Sequence, residues 1–137
     1  ERGIRISLSA DVCFEPGSAT LKLDKSAELL KKISALASRI KNRIRIEGHT
    51  DDTPIEPASN VGQKFPSNWE LSTARAISVL NYMVKQGVEE PRFEVAGYSK
   101  YRPLPSGQEG NTPEYRADNR RVDIIIIRDE ENYKVRQ

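Results

Sequence analysis

The strongest constraint on this 137-residue chain is a hydrophobic period that keeps changing along its length. Ile4, Ile6 and Leu8 alternate with Arg5, Ser7 and Ser9, the two-residue period of a half-buried strand. Ala27, Leu30, Ile33, Ala37 and Ile40 then recur at three or four and form one apolar helical stripe. Asp24 is the expected N-cap, and Lys25, Lys31, Lys32 and Arg39 lie off the stripe. The period returns to two over Arg43–Gly48. The stretch SNWE, Ser67–Glu70, is a capping box opening a second helix. Leu71, Ala74, Ile77, Leu80 and Val84 are its expected buried face, and Gly87 its stop. RFEVAG gives a third strand and NRRVDIIII a fourth, with Val122, Ile124 and Ile126 on one side. This β-α-β-α-β-β order predicts an α/β (α+β) two-layer sandwich, with about four strands in a mixed sheet and two main helices on one face.

Three loops join these elements. FEPGSATL turns at Pro16-Gly17, Thr50–Pro66 carries three prolines, and Tyr98–Pro113 is rich in Pro, Gly, Ser and Asn. Long loops often carry function. Residues 1–127 read as one domain and 128–137 as a charged tail, helical or not. The 22 basic and 20 acidic residues are interspersed, so no basic face for nucleic acid is expected. The lone Cys13 sits in the apolar run DVCF and reads as a buried, inert thiol. No run approaches the roughly 18 apolar residues that span a bilayer. The opening ERGIRISL, already inside a strand and without a signal peptide, is what a piece excised from a longer protein would show.

The chemistry concentrates where the second strand ends. Gly48, the single histidine His49, Thr50, Asp51 and Asp52 follow one another. On the second helix Asn68, Ser72 and Arg75 are spaced to share a face. Were Asp51 and Arg75 to border one cleft, they would suit a zwitterionic amino acid. The guanidinium would fork onto its carboxylate, the aspartate would take its ammonium, and helix N-terminal N–H groups would assist. A plain Asp–Arg salt bridge is the alternative that spacing leaves open. A histidine without a second histidine or a nucleophile points to neither a metal nor a catalytic centre; His49 is expected to order its loop. Gly48 is expected where backbone bends or approaches closely. The run RADNRR, Arg116–Arg121, is either an anion site at a strand mouth or a solvated edge. No cofactor, metal or catalysis is expected. Asp51 and Asp52, being adjacent, tend to point apart and make a poor acid/base pair.

Three motifs in order, GHTDD, NWELSTARA and RADNRRVDI, resemble the OmpA-like peptidoglycan-binding domain over roughly Ile4–Ile127. The resemblance implies a non-catalytic grip on the peptide stem of peptidoglycan, commonly at diaminopimelate. It implies roles for Asp51 and Arg75 as the clamp and for Asn68 and Leu71 at the helix start. It also implies that Arg116 and Arg120 are strand-entrance arginines, and that Thr50 and Asp52 shape the pocket. Phe14-Glu15 matches a family Phe-Asp pair, with glutamate one methylene longer. HTDDTPI with FPSNWELSTARA is similar, more narrowly, to MotB-type flagellar stator subunits. That implies a wall anchor on the periplasmic, wall-facing side of the cytoplasmic membrane and a homodimer. It also implies an ion-channel partner subunit reached through a membrane helix absent from this sequence. An envelope anchor outside the flagellar motor, a wall hydrolase, and an interaction module that has lost wall binding are the alternatives.

Overall fold

The computed structural model describes residues 3–105 and 112–128. In chain order these form β1 (Gly3–Ser9), α1 (Ala10–Cys13), α2 (Leu23–Ser38), β2 (Ile44–His49), α3 (Asn60–Lys64) and α4 (Asn68–Lys85). A single 3₁₀ turn, β3 (Phe93–Gly97), α5 (Pro113–Asn119) and β4 (Arg121–Ile127) complete the order. The sheet is four-stranded and mixed, in the order β1-β4-β2-β3. β2 and β3 run parallel because α4 carries the chain back between them. β4 then enters antiparallel to both β1 and β2. The expected two-layer α/β architecture is present.

The alternation read from the sequence decides which face each strand buries. Leu8, Ile44, Ile46, Val122 and Ile124 pack against Leu30, Ile33 and Ala37 of α2 and Ala76, Val79 and Met83 of α4. Cys13 joins this core as a free thiol, and burial pushes its pKa up. The first strand is less buried than its pattern implies. Leu8 is buried, Ile6 is partly buried and Ile4 is exposed, because β1 is an edge strand and α1 covers only its Leu8 end.

Four local expectations need correction. α2 starts at Leu23 with Lys22 as N-cap, so Asp24 lies in the first turn, where its charge meets the helix dipole instead of capping. The Lys22 backbone is fixed from outside the helix, its N–H donating to Cys13 O at 2.7 Å. The buried face of α4 is rotated from the predicted stripe. It comprises Leu71, Ser72, Arg75, Ala76, Val79 and Met83, while Ile77 is exposed. The reason is Gly48: a Cβ there would lie 1.9 Å from Ser72 O, so the helix backbone rests directly on the end of β2. The Thr50–Pro66 loop contains α3, capped by Ser59, which accepts from Gly62 N at 3.0 Å. Arg116–Asn119 of the RADNRR run are helical, in α5, which Thr112 caps and Pro113 opens. Elsewhere the local signals hold. Ser67 caps α4 and its hydroxyl donates to the Glu70 carboxylate. Gly87, at φ 103°, closes the helix as a Schellman motif, with Gly87 N on Val84 O and Val88 N on Met83 O. The charged tail, apart from Arg128, lies outside the described residues.

Candidate functional site

A cleft of about 570 Å³ opens where the end of β2, the first turns of α4, the α1–α2 loop and Arg120 converge. Its geometry starts from Gly48, which lets α4 sit against the strand that delivers Thr50 and Asp51. Thr50 N donates to Ser99 O at 2.9 Å, pinning the strand exit to the β3–α5 loop. Asp51 then folds into an Asx turn, its Oδ1 accepting from Thr53 N at 2.9 Å. Asn68 Nδ2 donates to Thr53 O at 3.0 Å and so ties the helix start to the same turn.

Arg120 supplies the cation next to Asp51. Its Nη1 lies 2.6 Å from Asp51 Oδ2, and its Nε and Nη2 fork onto Asp11 at 2.9 Å each. These bonds push the Arg120 pKa up and, with its charge, hold Asp11 below the usual carboxylate range. Arg75 is held differently. It is buried, its Nε donates to Ser18 O at 2.8 Å, and its guanidinium lies over the Phe14 ring at 5.2 Å. None of its three nitrogens pairs with a carboxylate among the described residues, although Arg75 lines the cleft beside Asp51. The plain Asp51–Arg75 salt bridge that spacing left open does not form among the described residues; Asp51 pairs with Arg120 instead. Three acidic residues, Asp11, Asp51 and Glu56, and two guanidinia, Arg75 and Arg120, border one cavity. Such a mixture suits a ligand carrying both signs of charge.

The sequence-predicted residues divide into three groups. Thr50, Asp51, Asn68, Leu71, Arg75 and Arg120 meet in the cleft. Asp52 and Arg116 border an adjacent hollow of about 170 Å³ and bond to each other at 3.1 Å. Phe14 is buried beneath Arg75, and Glu15 contributes its backbone carbonyl near Arg75 Nη2 while its side chain is exposed. Asp11 was not foreseen. Its only signal is an acid at the start of an otherwise apolar segment, and its partner lies 109 positions away.

The opposite face of the sheet, which no helix of the described residues covers, carries a separate polar network. Cross-strand register sets Glu47 beside Asp123 and His49 beside Arg121. Asp123 accepts from Arg5 and Ser7 at 2.6 Å and from Arg121 at 3.1 Å. Glu47 accepts from Arg45 at 2.9 Å and Arg5 at 3.2 Å, and pairs with His49 Nε2 at 3.2 Å. His49 also stacks on Tyr98 at 5.3 Å, joining the end of β2 to the following loop, the ordering role expected of it. Glu47, His49 and Asp123 have ligand atoms within 4.8 Å of one another, a spacing that admits a metal. The donor set does not fit one, because three guanidinia already neutralise the two carboxylates and leave an excess positive charge. The hollow of about 500 Å³ above this network has these satisfied pairs for its floor.

Burial, then the Arg121 charge, lower the His49 pKa below its ordinary value of 6.5. The unfolded chain therefore binds a proton near that pH that the folded chain refuses. Stability is expected to fall as pH drops below 6.5. Burial alone would raise Glu47, but hydrogen bonds from His49 and Arg45 and the Arg5 charge outweigh it and hold the group below 4.5. Its contribution is present above 4.5 and is lost as pH falls through the lower, folded value. Urea midpoints across this range measure both effects. His49→Asn should flatten the upper part of the slope and, because His49 is one of the partners that hold Glu47 low, reduce without abolishing the acidic part; an unchanged slope would assign the loss to other groups.

Residues 13–120 match the OmpA family. Among curated proteins the chain is 40% identical over 128 residues to the uncharacterized protein YtxE of Bacillus subtilis (strain 168), covering 92% of this chain and 49% of that protein. It is 32% identical over 127 residues to Motility protein B of the same organism, covering 91% and 45%. The chain thus spans about half the length of these relatives. Among solved structures it is similar to the cell wall anchor of the T6SS from Pseudomonas aeruginosa. There the TM-score is 0.76 at 31% identity, over 90% of this chain and 80% of that one. The periplasmic domain of Helicobacter pylori MotB has the same fold, with a TM-score of 0.79 at 24% identity, over 99% and 83%. Family match, shared fold and the three motifs converge: the chain belongs to the OmpA family.

Proposed function

We propose that this domain is a non-catalytic peptidoglycan anchor that holds the peptide stem in the Asp51–Arg75–Arg120 cleft. The observation that carries the reading is the gathering of acidic residues, Asp11, Asp51 and Glu56, and two guanidinia, Arg75 and Arg120, around one cavity. In that cavity Arg75 donates to backbone carbonyls and, among the described residues, to no acid. The Arg75 guanidinium takes the carboxylate of a stem diamino acid, probed as meso-diaminopimelate, and Asp51 takes the ammonium. Thr50, Asn68 and Leu71 shape the walls. Asp52 and Arg116, in the adjoining hollow, meet the neighbouring part of the stem. Residues 1–127 form the binding domain and 128–137 its tail.

Polar partners exchanged for water give modest affinity per site. Homodimerisation on a polymeric wall raises retention through effective concentration. The domain works on the wall-facing, periplasmic side of the cytoplasmic membrane. It anchors a flagellar stator whose ion-channel subunit is reached through a membrane segment outside this sequence. Similarity to Motility protein B supports that assignment. A wall anchor for another envelope machine is the second reading, favoured by the similarity to the T6SS anchor.

Co-sedimentation with purified sacculi tests the binding. The wild-type domain is expected to sediment and to release no soluble fragments. The Asp51→Ala, Arg75→Ala double variant is expected to bind at least about tenfold more weakly, the loss of roughly one charge-assisted contact. Circular dichroism confirms that the variant is folded, and Asp51→Asn provides a milder version. Undiminished sedimentation of folded variants would end the proposal.

A further inference from the structure

Beside the cleft stands an aromatic pair that neither the core nor the cleft uses. Trp69, the only tryptophan in the chain, and Tyr101 stack with ring centroids 5.3 Å apart and planes 23° from parallel. Stacked aromatics usually serve to fill an interior. Here Trp69 is 48% exposed and Tyr101 59%. Neither the indole N–H nor the phenol hydroxyl has a hydrogen-bond partner among the described residues. The pair therefore offers water both apolar ring surface and unsatisfied polar edges. Lys100 Nζ lies 5.6 Å from the Tyr101 centroid and adds a cation at one end.

The pair is fixed relative to the cleft. Trp69 follows Asn68 directly, and consecutive Cα atoms are about 3.8 Å apart. The turn that carries Tyr101 is anchored on two sides, to the strand exit at Thr50 and to α4 at Ser72. Ser99 O accepts from Thr50 N at 2.9 Å, and Ser99 N donates to Ser72 Oγ at 3.1 Å. Those bonds hold Ser99 at φ 56°, a conformation rarely adopted by a residue with a side chain. Lys100 also lines the hollow that shares Thr50 and Asp51 with the cleft.

We infer that Trp69 and Tyr101 form a sugar shelf, which receives an N-acetylhexosamine of the glycan strand whose stem peptide occupies the cleft. The inference rests on the wall-binding reading. A pyranose presents a C–H face ringed by hydroxyl and acetamido groups, matching flat apolar rings with free polar edges. A stem peptide is covalently attached to such a sugar. Two extended residues reach only about 7 Å, so a stem seated at Asp51 and Arg75 carries its sugar no more than a few residues from the cleft. A shelf abutting the cleft is where that sugar arrives.

Trp69 is its own reporter, since no other tryptophan contributes emission. Titration with tetra-N-acetylchitotetraose is expected to change that emission saturably, and Tyr101→Ala should weaken the response. A second experiment compares the disaccharide-tripeptide with the free tripeptide by calorimetry. The wild type should bind the disaccharide form several-fold more tightly. Trp69→Ala should abolish that difference and leave the affinity for the free tripeptide unchanged. Equal losses for both ligands, or no loss for either, would reduce the pair to a staple between loop and helix and overturn the proposal. If the free tripeptide fails to bind the wild type, the cleft assignment fails. The chitotetraose response still decides the shelf: a saturable change lost in Tyr101→Ala supports it, and a flat titration refutes it.

Discussion

Asp123→Ala is expected to lower the unfolding free energy by about 3–5 kcal/mol, the cost of removing one partner from a buried ion pair. Asp123 lies on β4, with the sheet continuing on both sides, and is 1% exposed. Its two oxygens accept from Ser7, Arg5 and Arg121, and Arg121 is itself only 6% exposed. Deleting the carboxylate leaves a buried guanidinium facing another positive charge. Asp123→Asn keeps the shape but turns one acceptor into a donor aimed at donors, so about 1–3 kcal/mol is expected. Urea unfolding measures both. A comparison is Glu94→Ala, which removes a 3.5 Å pair with Arg43 between two exposed side chains and should cost at most about 0.5 kcal/mol. If Asp123→Ala cost no more than Glu94→Ala, the network would be ornamental.

Gly48→Ala carries the second large effect. The added carbon would lie 1.9 Å from Ser72 O and 2.6 Å from Ser72 C, both backbone atoms of α4. Neither can rotate away, so the helix must move off the strand. Overpacking of this kind costs about 3 kcal/mol or more. The displacement also reaches function, because Asp51 hangs from one of the separated elements and Arg75 from the other. Loss of sacculus binding should therefore accompany loss of stability. Gly87→Ala separates crowding from conformational strain. Nothing lies within 4 Å of a Cβ there, and φ is 103°, so only about 1 kcal/mol is expected, with binding intact. Equal effects at the two glycines would mean that close helix–strand approach does not build the cleft.

Much of the fold was legible because it is local. Alternation at Ile44 and Ile46, the cap at Ser67 and the stop at Gly87 each depend on neighbours a few positions away. What escaped was non-local. The face that α4 buries is set by Gly48 and by the carbonyl of Ser18, to which Arg75 donates across 57 positions. An apolar-stripe count could not rank Arg75 above Ile77, because burying a guanidinium depends on acceptors that no periodicity reveals. α3 and α5 were hidden in loops although Ser59 and Thr112-Pro113 are recognisable starts, because neither short helix has an apolar stripe. In the site, the motifs brought Thr50, Asp51, Asn68, Leu71, Arg75 and Arg120 to one cleft. They did not reveal that Arg120 is the cation bonded to Asp51, or that Asp11 holds it. Those pairings are properties of the assembled sheet.

The central place of β4 sets the order in which this protein comes into being. The last strand in sequence lies between β1 and β2, and Ser7 bonds to an aspartate 116 positions downstream. A chain emerging vectorially from a ribosome or a translocation pore can assemble only β2, α4 and β3 early. β1 must wait, its ladder groups unpaired, until the carboxyl-terminal part emerges. Arg120 immediately precedes that strand, so the cleft and the sheet are completed by the same event. A chain cut short before Arg120 lacks both the strand that joins β1 to β2 and one of the two guanidinia of the cleft.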